Sequence, residues 1–184
     1  VSFAPVTETT AMIELDPVVL QAWLAQAEPK PSAMDIASLR ALAHDRLPES
    51  YVAFVTTYGF VEFGRDPQAT ELFTYTVDRD GQREVRQAVA GFLQDAKDVA
   101  TTYAFATTTD DADDETRPML PDGYLTIGRD TNHGFILLDF LEQPGRIRYQ
   151  PRTDWRWGTE DNTWLGDVAP DFESFINGLR PDPL

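Results

Sequence analysis

Helical and strand-like apolar periods occupy different stretches of this chain, and that segregation constrains its fold more than any single motif. Helical spacing comes first, strand patterns dominate the second half, and a helical period closes the sequence. This order argues an α+β fold, since an alternating α/β fold would interleave the two periods. Asp16-Pro17 opens the first helix: an N-cap Asp accepts a free amide, and Pro lacks the donor that the first turn would leave unpaired. Val19, Leu20, Trp23, Leu24 and Ala27 follow at helical spacing. Glu28-Pro29-Lys30-Pro31 breaks that helix. Ser32, with Asp35 three residues on, has the form of a capping box, and Ile36, Leu39 and Ala43 share the next helical face. A third helix starts at Pro48 and carries the stripe Tyr51, Phe54, Val55 and Tyr58 to a stop at Gly59.

Strand patterns then begin. Phe60 to Phe63 reads as a strand, as does Glu71 to Val77, with Phe73, Tyr75 and Val77 on one face. Arg79-Asp80-Gly81 is a turn. Val85, Ala88, Val89, Phe92 and Ala96 recur at helical spacing and predict a helix, which Gly91 would weaken by about 1 kcal/mol. Val99 to Thr107 is Thr-rich and aromatic, so propensity favours a strand. Residues 108–118 form a polar acidic loop. Three strands are expected at Tyr124–Ile127, Phe135–Phe140 and Arg146–Gln150, joined by turns at Asn132-His133-Gly134 and Pro144-Gly145. A final helix from about Pro170 presents Phe172, Phe175, Ile176 and Leu179, and Pro181 ends it. No internal repeat is visible.

Composition narrows what such a fold can do. One domain is the simplest count for 184 residues. The formal net charge of −16 repels phosphate backbones and anionic membrane surfaces, so neither nucleic acid nor a membrane is an expected partner. A basic protein would be steered toward this chain, with an on-rate that falls as salt rises. With no cysteine, disulfides, thiolate nucleophiles and Cys-based zinc sites are excluded together, which fits a reducing, cytoplasmic setting. No run approaches the ~18 apolar residues of a spanning helix. The chain begins with Val1, so a leader removed before it stays open, although Val1 to Glu8 has neither the basic nor the apolar region of one.

Three segments in fixed order carry a resemblance. The first runs Leu47-Pro48-Glu49-Ser50-Tyr51-Val52-Ala53-Phe54 through Tyr58-Gly59 to Phe63. The second is Tyr124-Leu125-Thr126-Ile127-Gly128-Arg129-Asp130, continuing through Gly134 to Asp139-Phe140. The third is Ala169-Pro170-Asp171-Phe172 through Phe175 to Leu179. Together they resemble the SUKH superfamily (Smi/Knr-like), whose bacterial members are mostly immunity proteins of polymorphic toxin systems. The likeness covers roughly residues 33 to 180, although Asp78 to Pro121 carries none of it. It implies a single mostly antiparallel β-sheet packed by helices, in a domain over 33–184 that follows an N-terminal helical extension over 1–32. It further implies a non-catalytic protein that binds a cognate toxin or effector and occludes its active site. The alternative is a regulatory or signalling interaction module of the Smi/Knr-like type.

Two patches are candidates for toxin binding. Asp110, Asp111, Asp113, Asp114 and Glu115 place five carboxylates in six positions, which suits docking to Lys and Arg side chains; the plainer reading is a solvated loop. Trp155 and Trp157, with Trp164 nearby, offer the large rigid side chains enriched at interface hot spots. They could equally fill the core, and Trp164, before Leu165 and Val168, reads as core. Thr76-x-Asp78-x-Asp80-Gly81 is a partial calcium-loop pattern without the bidentate Glu, so it reads as a turn into the next helix. His44 at a helix end and His133 in a turn complete the histidines. No spacing singles out a nucleophile, a base, a phosphate loop or a metal site, so no catalytic residue, metal or cofactor is expected.

Overall fold

The computed structural model describes residues 17–24, 29–63, 71–108 and 117–181. Asp16, Ala27 and the side chain of Val19 lie outside the described residues, as do Asp110, Asp111, Asp113, Asp114 and Glu115. Helices α1 (Pro17–Leu24), α2 (Ala33–Leu42) and α3 (Glu49–Tyr58) come first. The capping box holds: Asp35 N–H donates to Ser32 Oγ at 3.2 Å, and Ser32 N–H donates back to the Asp35 carboxylate at 2.8 Å. The Ser32 hydroxyl, which donates to that carboxylate at 2.7 Å, and the Ser32 N–H together hold the Asp35 carboxyl below its ordinary range. Leu39 and Ala43 are buried, and so are Tyr51, Phe54 and Val55 of the third stripe. Helix α3 stops at Gly59 as expected.

The expected strand at Phe60 to Phe63 is an extended segment. Phe63 N–H donates to Gly91 O at 2.7 Å, and Leu93 N–H donates to Val61 O at 2.9 Å. Strand β1 (Glu71–Arg79) turns directly into β2 (Gln82–Leu93), so the helix expected from Val85 to Ala96 does not form. The turn decides the matter. Asp80 and Gly81 both have positive φ, 52° and 77°. That conformation matches the right-handed twist of paired strands, and it locks eight residue pairs from Leu72↔Val89 to Arg79↔Gln82. Val85, assigned to a buried helical face, lies 69% exposed. Gly91 sits at a bulge between Ala90 and Phe92, where a Cβ would lie 2.9 Å from Arg129 O; the residue marks a close backbone approach.

The next stretch reverses in the opposite sense. Val99 to Thr107 belongs to α4 (Ala96–Thr107), not to a strand. Asp95 caps it, accepting from Asp98 N–H at 2.7 Å, and Ala96, Val99, Thr102 and Ala106 form its buried stripe. Thr107 satisfies its hydroxyl within the helix, on Tyr103 O at 2.7 Å. Burial of that stripe outweighs the strand propensity of the threonines.

Strands β3 (Tyr124–Asp130), β4 (Phe135–Asp139) and β5 (Ile147–Gln150) match expectation, and β6 (Gly166–Ala169) was not foreseen. Helix α5 (Phe172–Gly178), capped by Asp171, and the two-residue β7 (Arg180–Pro181) complete the described chain. All pairings are antiparallel in the order β2-β3-β4-β5-β6-β1-β7, and the β1–β2 hairpin brings the first strand of that order against the penultimate one. The fold is therefore α+β, with helices packed on one antiparallel sheet.

Period-2 alternation splits β3 and β4 between two apolar clusters. Leu125, Ile127, Ile136 and Leu138 face the main core with Tyr51, Phe54, Phe73, Tyr149, Phe172 and Phe175. Rings there meet edge to face, as in Tyr51–Phe172 at 5.2 Å and Phe73–Tyr149 at 5.2 Å. Tyr124, Phe135 and Leu137 face the other way, under Ala106 and Leu120. Trp23 of α1 is 2% exposed and lies in the main core, edge-on to Phe63 at 4.9 Å. Beside it, burial pushes the Glu71 carboxyl up; the Trp23 indole N–H, outside strict hydrogen-bond geometry, and the Arg180 guanidinium oppose that shift.

Candidate partner-binding surface

The segment between β5 and β6 holds all three clustered tryptophans, and a buried amide shapes it. Asn162 is 2% exposed. Its Nδ2 donates to Trp155 O at 2.8 Å and to Met119 O at 2.9 Å, and its Oδ1 accepts from Gln150 Nε2. Its backbone closes a small bridge with Gly158 and Thr159. Trp157 N–H donates to Pro118 O at 2.7 Å. The tryptophan segment is thus clasped to residues 118–119, where the chain leaves the acidic stretch.

The tryptophans divide by role. The chain bends at Trp155 and turns at Trp157, so the segment is not the extended run that would aim both the same way. Trp155 is 54% exposed and Trp157 half-buried. Trp164 packs against the main core while the guanidinium carbons of Arg79 and Arg86 lie 5.7 and 6.0 Å from its ring. A cleft of about 470 Å³ opens between Trp155 and Trp164, crossed by the Arg79–Asp161 ion pair at 3.1 Å.

A second depression lies across the ridge formed by Arg152, Thr153 and Asp154, which lines both. Phe105, 66% exposed, stands on it from α4. Its floor is fixed by the β3–β4 turn. Asp130 is buried there; its Oδ1 accepts from Asn132 N–H at 2.9 Å and Gly134 N–H at 2.6 Å, and its Oδ2 accepts from Tyr149 Oη at 2.6 Å. Burial and the neighbouring Asp130 carboxylate push the Tyr149 hydroxyl's pKa upward, so it donates at any physiological pH. His133 holds the turn at φ 68°, and His44 packs against Phe140 at 5.5 Å.

Two exposed aromatics on one rigid edge form a surface suited to protein recognition. A model of the SMI1 / KNR4 family (SUKH-1) matches residues 30–178, which include every element from α2 to α5. The chain belongs to that family. No curated protein and no solved structure matches it. SUKH-1 membership implies interaction with a protein partner, in a family that is generally non-catalytic. Among the described residues, no group of three or more His, Asp or Glu could hold a metal ion, and no helix is long and apolar enough to cross a membrane.

Sequence reasoning missed Phe105, Asn162 and Arg129. Phe105 was legible once Val99 to Thr107 is taken as a helix, since the stripe Ala96, Val99, Thr102, Ala106 leaves residue 105 outside it. Asn162 gave no signal, because its partners Met119 and Gln150 are distant in sequence and their approach depends on the whole sheet.

Proposed function

We propose that this SUKH-1 protein is a cytoplasmic immunity protein, which binds a cognate secreted toxin or effector domain and covers its active site. The family match over residues 30–178 carries the reading. The exposed Trp155 and Phe105 support it, as large aromatic anchors that cost little rotamer entropy when bound. The net charge of −16 supports a basic partner, drawn in by long-range attraction. Asp110, Asp111, Asp113, Asp114 and Glu115 would supply negative charge for such a partner, with Trp155 and Trp157 as apolar anchors.

The test is binding to the C-terminal domain of the effector encoded beside this gene, together with rescue of cells that express that domain. One-to-one binding that weakens as salt rises, with rescue, is the expected result. Failure of both binding and rescue would overturn the reading and favour a signalling module with unlinked partners.

A further inference from the structure

On a chain this acidic, a pocket beside α4 carries an excess of positive charge. It has a volume of about 400 Å³ and lies between α4, the β3–β4 turn and the ridge at Arg152 to Asp154. Arg129, Arg152 and His133 line it against a single carboxylate, Asp154. Arg129 is the unusual member. Its guanidinium carbon lies 4.7 Å from the Phe135 ring centre, and Nη2 reaches Thr102 Oγ1 only at 3.5 Å, the outer limit of a hydrogen bond. No carboxylate pairs with it among the described residues, and it is half-buried where Arg152, the pocket's other arginine, is exposed.

That arrangement has a cost. Burial pulls the Arg129 pKa down, against the pull of Asp98, yet a guanidinium stays charged throughout the physiological range. A partly desolvated cation with unspent donors is unfavourable until an anion meets it. Here the guanidinium lies over the Phe135 ring, which limits where the fork can go, and Asp130 fixes the turn beside it. A planar fork held in place matches a carboxylate by two parallel hydrogen bonds. Phe105 on the rim offers apolar contact to whatever flanks that carboxylate.

We propose that this pocket receives an aspartate or glutamate side chain of the protein partner, gripped by Arg129 with Arg152 at the rim. The inference rests on the protein-binding reading above and adds to it the chemistry of one contact. It also reverses, at that contact, the polarity that the whole-chain charge suggests. A mostly basic partner would be drawn in by the net charge and set in register by one acidic side chain.

The test titrates the ¹⁵N-labelled full chain with acetyl-Leu-Glu-amide at constant ionic strength, with acetyl-Leu-Gln-amide and sodium acetate as controls, and follows the arginine Nε–Hε signals. The expected result is a saturable shift of the Arg129 signal with the Glu peptide. The Gln peptide should bind about tenfold more weakly, as expected for loss of a charge-assisted pair. Backbone signals should show the same loss in Arg129→Gln, a smaller loss in Arg129→Lys, and a partial loss in Arg152→Gln, which leaves the stack on Phe135 intact. Equal responses to the Glu and Gln peptides would overturn the proposal, as would a response to acetate as large as to the peptide, or a Glu response that survives Arg129→Gln. The titration needs no partner, so it fails separately from the immunity reading: loss of effector binding and rescue with a positive titration would overturn only the latter.

Discussion

The two faces of the sheet do different work. One carries an aromatic-rich core in which Trp23, Tyr51, Phe54, Phe63, Phe172 and Phe175 are almost wholly buried against helices α1, α2, α3 and α5. The other carries a five-residue cluster under the end of α4, bordered by the Asn162 clasp and by the exposed Phe105 and Trp155. Apolar burial accumulates on the first face. On the second, a few hydrogen bonds hold irregular backbone in place while large side chains remain in solvent. Stability should therefore be concentrated on one side and recognition on the other.

The sharpest way to break that comparison is to remove Trp23, which precedes the family-matched residues 30–178 yet sits in the main core. Trp23→Ala should cost about 3–5 kcal/mol, as for other large aromatics emptied from a core. A loss below about 1 kcal/mol in urea unfolding would separate α1 from the domain. Next is Asn162→Ala, which removes the side-chain donor to Trp155 O, leaves Met119 O only the longer bond from Gln150 Nε2 at 3.3 Å, and takes from Gln150 Nε2 its Asn162 acceptor. It should cost about 1–3 kcal/mol, with faster amide exchange around residues 155–162. An unchanged exchange pattern there would mean that the segment holds its shape without the clasp.

A smaller effect is expected at Glu71, a carboxylate at the edge of the main core. Its folded pKa is raised by burial, so its contribution to stability is complete below the unfolded pKa and is lost as pH rises through the folded one. Glu71→Gln should therefore stabilise the protein at neutral pH and make little difference in acid, measured as urea midpoints at both values. A destabilised neutral midpoint would show that attraction to Arg180 outweighs desolvation. The smallest change in stability belongs to Trp155→Ala, within about 0.5 kcal/mol, because the side chain is more than half exposed. The same substitution should weaken effector binding by about 2 kcal/mol, roughly 30-fold.

The same division governs how much could be read from the sequence. Elements that bury one clean stripe were legible: α2 from its capping box, α3 from Tyr51 to Tyr58, β3 and β4 from their apolar runs, and α5 from Phe172 to Leu179. Residues 82–107 misled because Val85, Ala88, Val89 and Phe92 also fit a helix, and a strand paired on both edges was invisible to local spacing. Asp80-Gly81 held the answer as a hairpin signal, since its two positive φ angles select tight strand pairing. Asp95 likewise marked the start of α4 as a cap. For the candidate surface, Trp155 and Trp157 were visible as residue types, but their clasp by Asn162 and the neighbouring Arg129 pocket arise from contacts between distant parts of the chain.

The most direct test of this division is hydrogen–deuterium exchange of the full chain with and without the effector domain encoded beside its gene. The account predicts new protection at residues 152–157 and at the end of α4 around Phe105, with exchange in α2 and α3 unchanged. Protection on α2 and α3, with residues 152–157 unaffected, would contradict it and place recognition on the face assigned to stability.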